Sequence, residues 1–401
     1  MPLFETTGWN VTADKVAFGG AEEPKKKSKL KKNKKKAPLT EIQPTEQDLP
    51  QKRKSAETKE PTAKKPKTKE SSQHDSQTND APAKLAPGPM PVMNSKLTAL
   101  QQKMMAKLSG SRFRWINEQL YTSSSESALS LVKNQPELFD EYHQGFRSQV
   151  QLWPENPVDV FVEQIKGRTH KPISAPGGLP GNSQKQVVIA DMGCGEAQLA
   201  LDINNFVKQY NSQKKGKGKK DRTSGPRAPT KLDIKVHSFD LKKANDRITV
   251  ADIKKVPLKD GSCNIVIFCL ALMGTNFLDF IQEAYRILAP NGELWIAEIK
   301  SRFSESNSSG SKPQRPEEVG KEFVDSLKLF GFFHKKTDNE NKMFTRFEFF
   351  KPSKDIIAQQ MNSHKKTKFI EAESKKEELE SKRLKTAEGN WLLKPCIYKR
   401  R

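Results

Sequence analysis

The most constraining feature of the 401-residue chain is a short passage near its middle. Gln186-Val-Val-Ile-Ala-Asp191 is an unbroken apolar run closed by an acid, followed at once by the turn Met192-Gly193-Cys194-Gly195 and a helical stretch from about Ala197 to Tyr210. A continuous apolar run of this length reads as a strand buried on both faces, as in a parallel sheet. The glycines let the backbone approach a ligand closely, and the helix start offers free N–H groups to it. A dinucleotide fingerprint requires a third glycine where Gln198 stands, and the glycine–lysine pattern of a P-loop is absent. An acid just before the turn would repel a pyrophosphate. It suits S-adenosylmethionine, whose amino group and sulfonium are cationic and which carries no phosphate.

Two more acids extend the pattern. Asp240 ends a second predicted strand at 235–240, and Asp252 follows a third at 248–251, with Ile253 beside it. Asp240 lies 47 residues beyond Gly193, whereas an acid that binds ribose hydroxyls is expected about 20 residues on. A basic insert at 211–231 accounts for most of the excess. Asp252 can accept from an adenine amino group while Ile253 packs on the ring. Either aspartate alone reads more simply as a cap or turn residue. Acids at three successive strand ends point to a cofactor, since ligands of α/β sheets sit at the carboxyl ends of the strands. A strongly apolar strand at 264–270 comes next, then a helix at 277–288 stopped by Pro290-Asn291-Gly292, and a strand at 294–298. An amphipathic helix at 319–330 and strands at 332–336 and 343–350, read as a hairpin, complete a doubly wound α/β sheet.

Ahead of this sheet, residues 95–166 read as a helical cap. Leu97, Leu100, Met104 and Leu108 recur at helical spacing, Ser109-Gly110 predicts a break, and Phe113 to Leu120 predicts a second helix. Ser123 with Glu126 predicts a capping box for a third, Pro136 opens a fourth, and 158–165 reads as a further helix. The remaining boundaries follow the charge. The net charge is +23, yet residues 95–210 and 232–350 carry 30 basic and 28 acidic side chains between them. Residues 1–94 hold 19 Lys/Arg against 12 Asp/Glu, residues 211–231 hold 8 against 1, and residues 351–401 hold 14 against 7. The expected organisation is therefore a disordered Lys-rich region at 1–94, a cap at 95–166, the α/β domain at 167–350 with its insert, and a basic C-terminal extension at 351–401.

The basic regions point to a polyanionic partner, most often nucleic acid. KKKSKLKKNKKK at 25–36, Lys52-Arg53-Lys54 and Lys64-Lys65-Pro66-Lys67 read as import signals and nucleic-acid contacts. An apolar island of Phe4, Trp9, Val11, Val16 and Phe18 reads either as a docking segment or as residual hydrophobicity in a tail. No apolar run reaches the length of a membrane span, and Met1-Pro2-Leu3-Phe4-Glu5 has no secretory pattern. Four cysteines without C-x-x-C spacing suit a reducing compartment and argue against a metal site. Cys269, closing the fourth strand, reads as a small apolar wall residue in preference to a nucleophile, since no neighbouring cation would lower its pKa.

The segments SRFRWINEQLY, DEYHQGF, ADMGCGEAQLA, FCLALMGTN, AEIKSRF and KPCIYKRR together resemble the ribosomal RNA-processing protein 8 family, whose vertebrate member is nucleomethylin; the likeness to the yeast type is especially close. It covers about residues 95–401. The resemblance implies a Rossmann-like class I S-adenosylmethionine-dependent methyltransferase fold with a seven-stranded mixed sheet. It implies a nuclear, nucleolar enzyme that forms N1-methyladenosine in large-subunit rRNA and acts on pre-rRNA in pre-ribosomal particles. It also assigns cofactor contacts to His143 of the H-x-G-F motif, Gly193, Asp240, Asp252, Ile253 and Cys269. The residue pattern adds Asp191 and Gly195. Without the resemblance His143 reads as a helix-surface residue.

Adenine N1 lies on the base-pairing edge, so the target must be unpaired or flipped out. Its lone pair needs no strong base, and alignment supplies most of the acceleration. Glu298 and Asn276 are the candidates to stabilise charge developing on the ring, and Arg302 to hold a target phosphate, although a surface cation explains Arg302 nearly as well. Arg112, Phe113, Arg114 and Trp115 read as an RNA-stacking surface or, for Trp115, as core. The alternative function is a cofactor-binding nucleolar assembly or chromatin-silencing factor with a mainly non-catalytic role.

Overall fold

The computed structural model describes residues 98–215, 229, 231–303, 319–363, 366–396 and 398. The N-terminal basic clusters, the island around Trp9, Leu97, positions 216–228 of the insert and the Ser-rich stretch at 304–312 lie outside the described residues.

Seven strands form one mixed sheet in the order β3-β2-β1-β4-β5-β7-β6. They are β1 (Val187–Met192), β2 (Ile234–Asp240), β3 (Ile248–Val250), β4 (Cys263–Cys269), β5 (Leu288–Ile299), β6 (Phe333–Asp338) and β7 (Phe344–Phe350). The pairings through β5 are parallel, whereas β7 runs antiparallel to both β5 and β6, so the last two strands are the expected hairpin. The class I arrangement and its mixed sheet are thus as the resemblance implied.

Strand alternation divides the apolar side chains between two cores. Val188, Ala190 and Met192 of β1, Val266 and Phe268 of β4, and Leu294 and Ile296 of β5 face one side, under α6 (Phe277–Ile287) and α7 (Lys321–Leu329). Val187, Ile189, Ile265, Ile267, Trp295 and Ala297 face the other. There they meet α4 (Pro157–Arg168) and α5 (Gln198–Lys215) through Phe161, Ile165, Leu199 and Ile203. The continuous apolar runs seen in the sequence are the consequence of this two-sided burial. The helix ends at Ile287, within one residue of its expected end, but β5 starts six residues before its predicted position, because Pro290-Asn291-Gly292 forms an irregularity inside the strand, with Asn291 at φ +62°.

Among the described residues, three helices precede α4, namely α1 (Ala99–Thr122), α2 (Ser125–Asn134) and α3 (Glu137–Val150). Thr98 and Gln101 close a capping box at the start of α1. The helix then passes unbroken through Ser109-Gly110, where the sequence predicted a stop. A mid-helix glycine costs about 1 kcal/mol, and burial of Phe113, Ile116 and Tyr121 on the same helix outweighs it. The capping box predicted from Ser123 and Glu126 is not formed. Ser124 is the N-cap, Ser123 closes α1, and Glu126, one place too early to reach back, pairs with Lys254.

After β7 come α8 (Lys354–Ser363), α9 (Lys366–Lys385) and a short strap from Glu388 onward. The stretch read as a basic extension is built into the domain. Leu392 and Leu393 join the core under α6, and Glu388 accepts from the Leu278 N–H at 2.6 Å, supplying α6 with the side-chain cap its own Asn276 does not provide.

Candidate cofactor site

A cavity of ≈460 Å³ opens at the carboxyl ends of β1, β2 and β4, roofed by α1, α2 and α3. The size and mixed lining suit a small organic ligand. Asp191, Gly193, Gly195, Asp240, Asp252, Ile253, Cys269 and His143 all line it, so all eight expected cofactor contacts are brought together in one place.

The glycine turn is fixed by geometry that other residues resist. Gly193 and Gly195 lie at φ +74° and +60°, in the left-handed region. A Cβ on Gly193 would come within 2.6 Å of the Ala271 methyl, and one on Gly195 within 3.1 Å of the His143 ring. The N–H groups of Gly193 and Cys194 both donate to the Phe239 carbonyl, at 2.9 and 3.0 Å, which ties the turn to the end of β2.

The three acids differ in their partners. Asp240 accepts from the N–H of Gly195 at 2.6 Å and of Leu241 at 2.7 Å. Burial raises its carboxyl to about 6, and these two donors hold it below where burial alone would put it. Asp252 accepts from Ser125 Oγ at 2.8 Å and the Lys254 N–H at 3.0 Å. Asp191 is 3% exposed, and among the described residues neither oxygen has a hydrogen-bond or ion-pair partner. Burial, then the nearby charge of Asp240, raises it to about 7. A buried carboxylate left unpartnered beside a cavity is the arrangement a cationic ligand completes.

His143 packs against Phe139 at 4.2 Å between ring centroids. Burial, then Arg147, lowers its pKa to about 4, so the ring is neutral at physiological pH. It is not the surface residue its helical position implied. Cys269 is held well above the ordinary thiol pKa, first by burial and then by Asp191, and Cys194 likewise first by burial, which disfavours the thiolate in both.

The proposed catalytic trio stands elsewhere. Arg302, 1% exposed, pairs with Glu298 at 2.8 Å and donates to the carbonyls of Leu272 and Lys394. Neither side chain lines the cavity, so Arg302 cannot hold an RNA phosphate and Glu298 does not face a target base. The expectation failed because a strand-end position says nothing about which way the side chain turns. Asn276 also lies off the wall, where it accepts from the Ser125 N–H at 3.0 Å and donates to Asp279. Arg112 and Phe113 are buried, Arg112 against Glu141; neither offers a stacking surface.

Sequence reasoning missed Ser125, the α2 hydroxyl that braces Asp252, and the α3 aromatics Phe139, Tyr142 and Phe146. The latter were legible as a helical apolar face, but nothing local shows that this face roofs a cavity.

A family model described as "Hypothetical methyltransferase" matches residues 99–217 and 227–366. The chain is 57% identical, over all of both chains, to a Saccharomyces cerevisiae protein named 25S rRNA (adenine(645)-N(1))-methyltransferase. A Schizosaccharomyces pombe protein of the same name is 43% identical over 64% of this chain and 67% of its own. An Arabidopsis thaliana protein named Ribosomal RNA-processing protein 8 is 33% identical over 79% and 82% respectively.

Proposed function

The chain belongs to the ribosomal RNA-processing protein 8 family of methyltransferases, and from that premise we propose that it forms N1-methyladenosine in large-subunit rRNA, using S-adenosylmethionine, during ribosome assembly in the nucleolus. The observation that carries the cofactor reading is the lone Asp191 carboxylate, buried beside two further strand-end acids in one cavity. S-adenosylmethionine, when bound, supplies a methyl group made electrophilic by its sulfonium.

The chain's own residues do the rest. Asp191 faces the ligand's positive charge. Asp240, fixed by the glycine turn, takes the ribose hydroxyls, and Asp252 takes the adenine amino group with Ile253 against the ring. Ser125 holds Asp252 in register from the roof. His143, neutral and wedged against Gly195, closes the cavity over the turn without adding a like charge to a cationic cofactor. Adenine N1 attacks with its own lone pair, so the work of the protein is alignment and exclusion of water. The absence of a low-pKa thiol among the described residues of the cavity fits attack by nitrogen better than the covalent cysteine route to ring carbon.

The test is reverse transcription across large-subunit rRNA, since an N1-methyl group blocks pairing and stops the polymerase. The stop should vanish when Gly193→Arg or Asp240→Ala replaces the native protein. A stop that persists after inactivation overturns the methyltransferase reading and leaves the assembly-factor one.

A further inference from the structure

The segment joining β4 to α6 forms one wall of the cavity through Leu270, Ala271, Met273 and Gly274. Its backbone passes through positive φ at Leu270 (φ +58°) and Gly274 (φ +94°); glycine adopts this region freely, whereas Leu270 does so at a cost. Such a segment keeps its shape only where its surroundings over-determine it. Leu272 sits at its centre with its side chain fully buried, so its peptide groups have no water to bond.

Both are taken by a single ion pair. The Leu272 N–H donates to Glu298 Oε1 at 3.2 Å, and Arg302 Nη2 donates to the Leu272 carbonyl at 2.6 Å. Glu298 Oε2 and Arg302 Nη1 stand 2.8 Å apart as a buried ion pair, at an angle that gives neither atom a hydrogen bond. The remaining reach of Arg302 is spent on two other elements. Its Nε donates to the Lys394 carbonyl at 2.9 Å, and its guanidinium lies 4.9 Å from the centre of the Tyr121 ring on α1. The Lys394 N–H returns a bond to the Arg302 carbonyl at 3.0 Å. A planar guanidinium with five donors in a fixed fork can hold such a set; an ammonium cannot.

We propose that Glu298 and Arg302 form a positioning clamp that sets the Leu270–Gly274 wall and ties it to the roof helix α1 and the C-terminal strap. They act through Leu272 and touch neither cofactor nor target base. The clamp rests on the methyltransferase reading for what the wall does, since this wall lines the cavity in which that reading would seat the methyl donor. It also accounts for the irregular C-terminal strap, whose Cys396 carbonyl accepts from Asn117 of α1 at 2.8 Å, bringing roof, strap and wall to one buried point.

The test uses the full chain, with S-adenosylmethionine and large-subunit rRNA from cells that lack the mark. Arg302→Met alone strands a buried carboxylate and risks unfolding. The double variant Glu298→Gln with Arg302→Met removes both charges, so no buried charge is left unpaired; the Leu272 and Lys394 carbonyls lose their side-chain donor, which is the loss under test. In the double variant the clamp predicts an unchanged number of cofactor sites and a cofactor Kd within about threefold of native. It predicts a turnover per cofactor site lower by roughly tenfold to a hundredfold, the scale of a small misplacement. It further predicts faster hydrogen exchange at the Leu272 amide, and a turnover for Arg302→Lys between the two. Native turnover per site in the double variant, or a loss explained wholly by fewer cofactor sites, would overturn the clamp. A native protein that transfers no methyl group defeats the methyltransferase reading itself, and the exchange rate at Leu272 still decides whether the pair holds the wall.

Discussion

Asp191 and Asp240, the carboxyls proposed to hold the cofactor, should make its affinity fall on acidification. Both carboxyls are raised by burial, to about 7 and about 6. In the empty protein each therefore keeps a proton to higher pH than an exposed aspartate, and the folded state loses this advantage as pH rises through 6 to 7. A cationic ligand needs the ionised forms. Binding below about pH 7 should accordingly release protons, and affinity should fall on acidification by up to about tenfold per pH unit for each carboxylate that must ionise. Calorimetry at pH 6 in buffers of different ionisation heat measures the protons released; none released would remove Asp191 from the site. Gly193 gives a steric counterpart. An alanine there must adopt φ +74° and meet the Ala271 methyl at 2.6 Å. The left-handed conformation alone costs about 1–2 kcal/mol, so Gly193→Ala should weaken S-adenosylmethionine binding by about tenfold or more, read as a titration against the native protein.

Among the elements, the roof depends on how closely α1 and α3 approach. Gly145 of α3 faces Phe113 of α1, and a Cβ on it would sit 2.6 Å from that ring. Gly145→Ala should therefore push the helices apart at a cost of about 1–3 kcal/mol, seen as a lower urea midpoint with an unchanged slope. Because His143 stands two residues away on the same helix, cofactor affinity should fall as well. Elements also mark where sequence reading reaches its limit. The central strands β1 and β4 were legible because two-sided burial writes continuous apolar runs into them, whereas β2, β3 and β6 mix buried and exposed positions and were read from their place in the alternation of strands and helices; the strand-end acids could be read in order from Asp191 to Asp252. The roof helices were legible as helices, but the packing between α1 and α3 that carries α1 past Gly110 was not. Glu298 and Arg302 were marked by position, but their burial and their partners Leu272 and Lys394, 26 and 92 residues away, had no local signal. Glu388 as the cap of α6, 110 residues from Leu278, had no local signal at all.

For the molecule as a whole, the +23 charge is unevenly placed, and the proposal that its basic segments hold RNA can be tested apart from the choice of base. The cap and sheet regions are nearly neutral, while residues 1–94, 211–231 and 351–401 each contribute seven positive charges. The two ends differ in what else they do. The C-terminal stretch carries Leu392 and Leu393 into the core and Glu388 onto α6. Deleting the residues after Lys385 removes two buried leucines, each worth about 2–5 kcal/mol, and should abolish a cooperative thermal transition near that of the native chain. The N-terminal cut is different in kind. A chain that starts at Ser95 keeps Thr98 and Gln101, and with them the capping box that opens α1. Its melting temperature and its affinity for S-adenosylmethionine should match those of the full chain. Its affinity for large-subunit rRNA should fall, and the slope of log affinity against log salt should become shallower, by about 0.7 for each phosphate no longer neutralised on single-stranded RNA. Filter binding at a series of salt concentrations measures that slope directly. An unchanged slope would place the RNA-binding charge on the insert and the C-terminal helices, and a lowered melting temperature would show that residues 1–94 support the fold as well as RNA binding.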